Sequence, residues 1–147
     1  MKLPNLEEYI NAIQLGSSKV FTDSILKNCT VQKNALGLPR VRSGNFAVIF
    51  KLQISNFNFA VRCFLTMPES SVVRYSSIKE KINSNSIIDS NSIFSRFDYQ
   101  KQGILVNQNY YPVIKMRWIE GPTLGEFINQ EYQNQNIMYS LKKSLDF

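Results

Sequence analysis

An α+β fold, a five-stranded antiparallel sheet with one packed helix, is expected from two features of the sequence. Stretches with apolar residues at helical spacing alternate with runs rich in Phe, Val and Ile, and short polar breaks divide those runs into pairs. Leu6, Tyr9, Ile10 and Ile13 predict a first helix over about residues 5–15, with Gly16 as its stop. Residues 16–39 are mixed, and Gly37 and Pro39 mark a turn into a strand entering from Leu38–Arg42. After Ser43-Gly44-Asn45, Phe46–Ile54 and Phe57–Leu65 read as a hairpin turning at Ser55-Asn56.

Thr66-Met67-Pro68-Glu69 has the pattern of a capping box, and Val72, Tyr75, Ile78 and Ile82 form the apolar stripe of the helix behind it. That helix runs out in the polar Asn83-Ser84-Asn85-Ser86. Phe94–Tyr99, Gly103–Val106 and Tyr110–Trp118 read as further strands, the last two joined by a tight turn at Asn107-Gln108-Asn109. Gly121-Pro122 stops the sheet, and Thr123-Leu124-Gly125-Glu126 offers a second capping box. A final helical stripe contains Ile137, Leu141 and Leu145.

Composition narrows the chemistry. The 147 residues suit one domain with its own core, and 44% apolar with 19% charged residues is an ordinary globular balance. The longest apolar run, Phe46–Phe50, is too short to span a bilayer. No apolar stretch follows a basic start, so no secretory signal is expected. Cys29 and Cys63 lie far apart and the chain has no histidine, which excludes zinc fingers, Cys/His pairs and Ser-His-Asp triads. A cytoplasmic chain without disulfides is expected. Asn28-Cys29-Thr30 matches a glycosylation acceptor only by chance in that setting.

The net charge is +6. No acidic residue lies between Asp23 and Glu69, whereas Lys27, Lys33, Arg40, Arg42, Lys51 and Arg62 all do. The excess therefore belongs to one segment. A basic sheet binding RNA or single-stranded DNA could use that segment, with Phe46, Phe50, Phe57, Phe59 and Phe64 for stacking. The aromatic-rich RNP signature is missing and strand aromatics usually belong to a core, so nucleic acid is not the expected partner.

Three motifs in order are more specific. Arg42-Ser43-Gly44-Asn45-Phe46-Ala47-Val48-Ile49 is similar to the Gly-rich loop of protein kinases. Phe59-Ala60-Val61-Arg62 stands where that family has V-A-I-K, and Val113–Leu124 resembles its fifth strand and hinge. Over residues 35–130 the chain resembles the N-terminal lobe of a bacterial group of kinase-like proteins. The resemblance implies an extension over 1–34, the lobe over 35–121, and post-hinge helices over 122–147 that open a truncated C-lobe. A longer chain or a protein partner would supply the remainder. It also implies ATP and magnesium as ligands, with the magnesium ligands in that remainder.

In that frame Gly44, Asn45 and Phe46 would lie over the phosphates, Gly44 through torsions closed to other residues. Ile49 and Ala60 would roof the adenine, Met116 would back it, and the backbones of Arg117 and Ile119 would bind its edge. Without the resemblance, Ile49, Ala60 and Met116 are ordinary core residues of a sheet.

The sequence also departs from the family. Arg42 and Ala47 replace glycines, and Arg62 replaces the phosphate-gripping lysine, a planar fork in place of a point charge. Glu80 projects away from the apolar stripe, so the family's lysine–glutamate pair is not expected. No H-R-D loop is present, and Asp146-Phe147 comes too early to be D-F-G. Hence no catalytic residue is expected here. A pseudokinase scaffold that binds no ATP is the alternative.

Overall fold

A computed structural model describes residues 2–67, 70–84 and 97–145. The helices are α1 (Leu6–Gln14), α2 (Ser17–Val20), α3 (Ser24–Lys27), α4 (Ser70–Ser84), α5 (Leu124–Glu131) and α6 (Gln135–Leu145). The strands are β1 (Thr30–Val31), β2 (Val41–Ser43), β3 (Ala47–Ile54), β4 (Phe57–Phe64), β5 (Phe97–Val106) and β6 (Asn109–Arg117). All six strands form one antiparallel sheet in the order β1-β3-β4-β6-β5, with β2 also on β3. The sheet therefore has six strands where the sequence predicts five. The extra one, β1, has only two residues, too few to show a period in the sequence.

The alternation along β3 decides what each face does. Val48, Phe50 and Leu52 are fully buried on one face, where Tyr9, Ile13, Val20 and Leu26 from α1–α3 cover them. Helix α1 forms because Asn5 caps it. The Asn5 side chain accepts the Glu8 N–H at 2.9 Å and the Glu8 carboxylate accepts the Asn5 N–H at 2.8 Å. Its Tyr9 hydroxyl then donates to the Phe64 carbonyl at 3.0 Å, locking helix to sheet.

The opposite face carries a second, smaller cluster of Phe64, Tyr99 and Ile114 beneath α4. Tyr75 of α4 stacks on Tyr99 at 5.8 Å and meets Phe64 at 5.6 Å. Of the expected stripe, Tyr75 docks the helix, whereas Ile78 is exposed and the side chains of Val72 and Ile82 lie outside the described residues. Pro68 and Glu69 of the first capping box, and Phe94–Arg96, lie outside the described residues.

Two boundaries differ from expectation for local reasons. Leu38–Arg40 is not strand, because Asn34 folds the preceding loop: its side-chain oxygen accepts from Leu36 and Leu38 N–H at 2.9 and 3.1 Å. The strands predicted at Phe94–Tyr99 and Gly103–Val106 are one strand from Phe97 onward, with an irregular register between Gln100 and Ile104. Gly103 sits in that irregularity, and a Cβ there would lie 2.2 Å from Val113 Cγ2. The second capping box forms as read, Thr123 Oγ1 accepting the Glu126 N–H at 3.2 Å.

Candidate functional site

The strand register brings four of the nine predicted site residues onto the face shared with α4. Ile49 pairs with Arg62, which pairs with Ile114; Lys51 pairs with Ala60, which pairs with Met116. Opposed residues of an antiparallel pair share a face. Ile49, Ala60, Arg62 and Met116 therefore form one patch across β3, β4 and β6. Ala60 is buried, while Met116 is half-buried against the smaller cluster.

Arg62 is half-buried with its guanidinium 5.5 Å from the centre of the Phe64 ring. Its Nε is buried and finds no hydrogen-bond partner among the described residues. Glu80 is exposed on α4.

The Gly44–Phe46 loop joins β2 to β3. Gly44 does not have the left-handed torsion expected of it, and a Cβ there would meet nothing within 4 Å. The reason is local: Gly44 N–H closes a turn onto the Ala47 carbonyl at 3.0 Å, a bond open to any residue. That N–H is thereby used within the loop. The N–H groups of Asn45 and Phe46 have no acceptor among the described residues. Phe46 is 66% exposed at the tip.

At the other end of the patch, Trp118 N–H donates to the Asn58 carbonyl at 2.9 Å and extends the ladder past β6. The side chains of Arg117 and Ile119 are exposed.

Trp118 was not singled out in the sequence, and it changes the site. Its indole lies between two cations, with Lys51 Nζ 4.8 Å and Arg42 Cζ 5.4 Å from the ring centre. Lys51 reaches over to the Glu120 carboxylate at 2.5 Å. These four residues, with Gln32, Arg40, Val41 and Ile49, line a cleft of about 110 Å³. The hydrogen bond from Lys51, and after it the Trp118 indole N–H, hold the Glu120 carboxyl below the usual carboxylate range, and the charges of Lys51 and Arg42 add to it. One sequence signal could have revealed Trp118: it lies two residues beyond Met116, so alternation places both on one face.

The five aromatics considered for nucleic acid do not form a platform. Phe50 and Phe64 are buried, and the exposed Phe46 and Phe57 flank opposite ends of β3. On the face toward α1–α3, Asp23 pairs with Lys115 at 2.5 Å and accepts from Gln100 Nε2 at 2.8 Å. Both cysteines are buried and free, and burial pushes their thiols up, so neither is a ready nucleophile.

Among the described residues no group of three or more His, Cys, Asp or Glu could hold a metal ion. No helix among them is long and apolar enough to cross a membrane. No protein-family model, curated protein or solved structure matches the chain.

Proposed function

We propose that the chain is a kinase-like N-lobe whose α4-side sheet face is the roof of an adenine nucleotide site. The observation that carries this reading is the register: Ile49, Ala60, Arg62 and Met116 arrive from three strands as one patch, next to the Gly44–Phe46 loop. A small buried alanine beside flat apolar neighbours suits a purine ring. The unused Asn45 and Phe46 N–H groups, with the Arg62 guanidinium, suit the phosphates. A cleft of about 110 Å³ is well below the roughly 300–1,000 Å³ of an enclosing ligand pocket. The lobe thus supplies a roof, and the floor comes from a C-lobe in the same longer chain or from a partner. Among the described residues magnesium finds no carboxylate cluster, and in this reading its ligands would come from the C-lobe.

A second reading, a pseudokinase scaffold, is favoured by the uncovered apolar face of α5 and α6, where no residue is buried. Titration with adenosine, followed by backbone amide NMR shifts, separates the two. The nucleotide reading expects saturable shifts at Ile49, Ala60, Met116 and Ile119, abolished in Ala60→Leu. Absence of shifts at millimolar adenosine in a folded sample overturns it.

A further inference from the structure

The Arg40–Lys51 end of the patch shares Ile49 with the nucleotide reading but carries charged groups to which that reading gives no role. Three cations, Arg40, Arg42 and Lys51, line the cleft with a single carboxylate, Glu120. Glu120 bonds Lys51, while Arg40 and Arg42 make no ion pair among the described residues. The indole Nε1 of Trp118 is buried; the Glu120 carboxylate is close enough to be held down by it but lies outside good hydrogen-bond geometry. The Glu120 side chain is 69% exposed even though Lys51 holds it. A carboxylate this exposed is free to swing out into water.

We propose that Arg40, Arg42, Lys51 and the Trp118 N–H form a binding site for the phosphate of a small phosphomonoester, with Glu120 as a tethered anion that the phosphate displaces. The charge balance selects the ligand. A monocarboxylate would only replace Glu120 like for like, and it would compete with a group tethered at an effective concentration of order millimolar. A phosphate dianion brings a second charge to Arg40 and Arg42, which make no ion pair among the described residues and whose planar forks match its oxygens. Glu120 shares its carboxylate between Lys51 and the indole N–H, so its departure frees both donors for phosphate oxygens. The small cleft and the separated Phe46 and Phe57 favour a small ligand over a nucleic acid strand.

Trp118 is the sole tryptophan, so its fluorescence reports directly on the site. The full chain is titrated with inorganic phosphate, above its second ionisation, against acetate and chloride at matched ionic strength. The expected result is a saturable change with phosphate alone. Glu120→Gln should tighten the apparent Kd by about tenfold, the equivalent of one charge-assisted hydrogen bond returned to the ligand. Arg42→Ala should abolish the response, and Arg42→Lys, which keeps the charge without the fork, should weaken it with the fold intact. Equal responses to acetate, no gain in Glu120→Gln, or a response to mixed-sequence RNA without one to phosphate would each overturn the proposal. Adenosine carries no phosphate, so failure here and failure of the nucleotide reading are separately visible.

Discussion

The Asp23 carboxylate accepts the backbone N–H groups of Ile25 and Leu26 at 2.9 and 2.8 Å, so it caps α3. The same group pairs with Lys115 on β6 and takes a hydrogen bond from Gln100 on β5. Burial alone would push its carboxyl up, but the Lys115 bond, the Leu26 N–H and the Lys115 charge together hold it below the usual range. Because the folded value lies below the unfolded one, the stabilisation is present above the unfolded pKa of about 3.9 and disappears as pH falls through the folded value. Asp23→Asn keeps the cap acceptor and removes the charge, so it should cost about 1–3 kcal/mol at neutral pH. Asp23→Ala should cost about 1 kcal/mol more, the worth of the cap. Urea unfolding as a function of pH checks both: the acid-side slope of the parent should flatten in Asp23→Asn. A slope unchanged by that substitution would place the acid sensitivity elsewhere.

Among the elements, the β5–β6 hairpin shows how sequence signals and local strain diverge. Asn107-Gln108 was legible as a turn, and both residues do adopt positive φ, 47° and 65°. Two successive positive values are the signature of the hairpin turn that favours Asn-Gly. Gln108 carries a Cβ where glycine is preferred, which costs roughly 1–2 kcal/mol, partly offset by the greater unfolded-state freedom of glycine. Gln108→Gly should therefore raise stability by about 0.5–1 kcal/mol. Thermal unfolding reads the gain, and a loss would mean that the Gln108 side chain has a role of its own.

The helices and long strands were legible because their periods extend over eight or more residues, as in β3, β4 and α1. Strand β1 and helices α2 and α3 were not, since two to four residues carry no period and their positions depend on partners far along the chain. The same limit applies to the candidate site. Ile49, Ala60, Arg62 and Met116 could be read from motifs, but the cation–indole stack of Arg42, Lys51 and Trp118 exists only through strand register. Gly44 needs no special torsion, because an ordinary backbone bond to Ala47 closes its turn.

At the scale of the whole chain, the two ends relate to the sheet in opposite ways. Residues from α1–α3 and β1 share one buried cluster with Val48, Phe50, Leu52, Val61, Ile104 and Val113. The N-terminal segment is therefore structural, since without it that sheet face would meet water. Helices α5 and α6 bury no residue, and Phe127, Ile137 and Leu141 line an open cleft of about 310 Å³ between them. Two truncations should accordingly behave differently. Removing residues 1–29 uncovers several fully buried side chains, each worth about 1.5–3 kcal/mol. For Tyr9, Ile13, Val20, Phe21 and Leu26 together the loss is about 7.5–15 kcal/mol, as large as a typical reserve of about 5–15 kcal/mol. The shortened chain should lose cooperative unfolding and bind a hydrophobic dye strongly. Removing residues 122–147 should change stability by less than about 1 kcal/mol, the range of surface changes. It should also lower dye binding, because Leu124, Ile128, Tyr132 and Tyr139 are exposed apolar surface in the parent. Circular dichroism melts and dye fluorescence on both shortened chains test the contrast. A cooperative melt at the parent midpoint after loss of 1–29 would show that α1–α3 merely rest on a sheet able to stand alone.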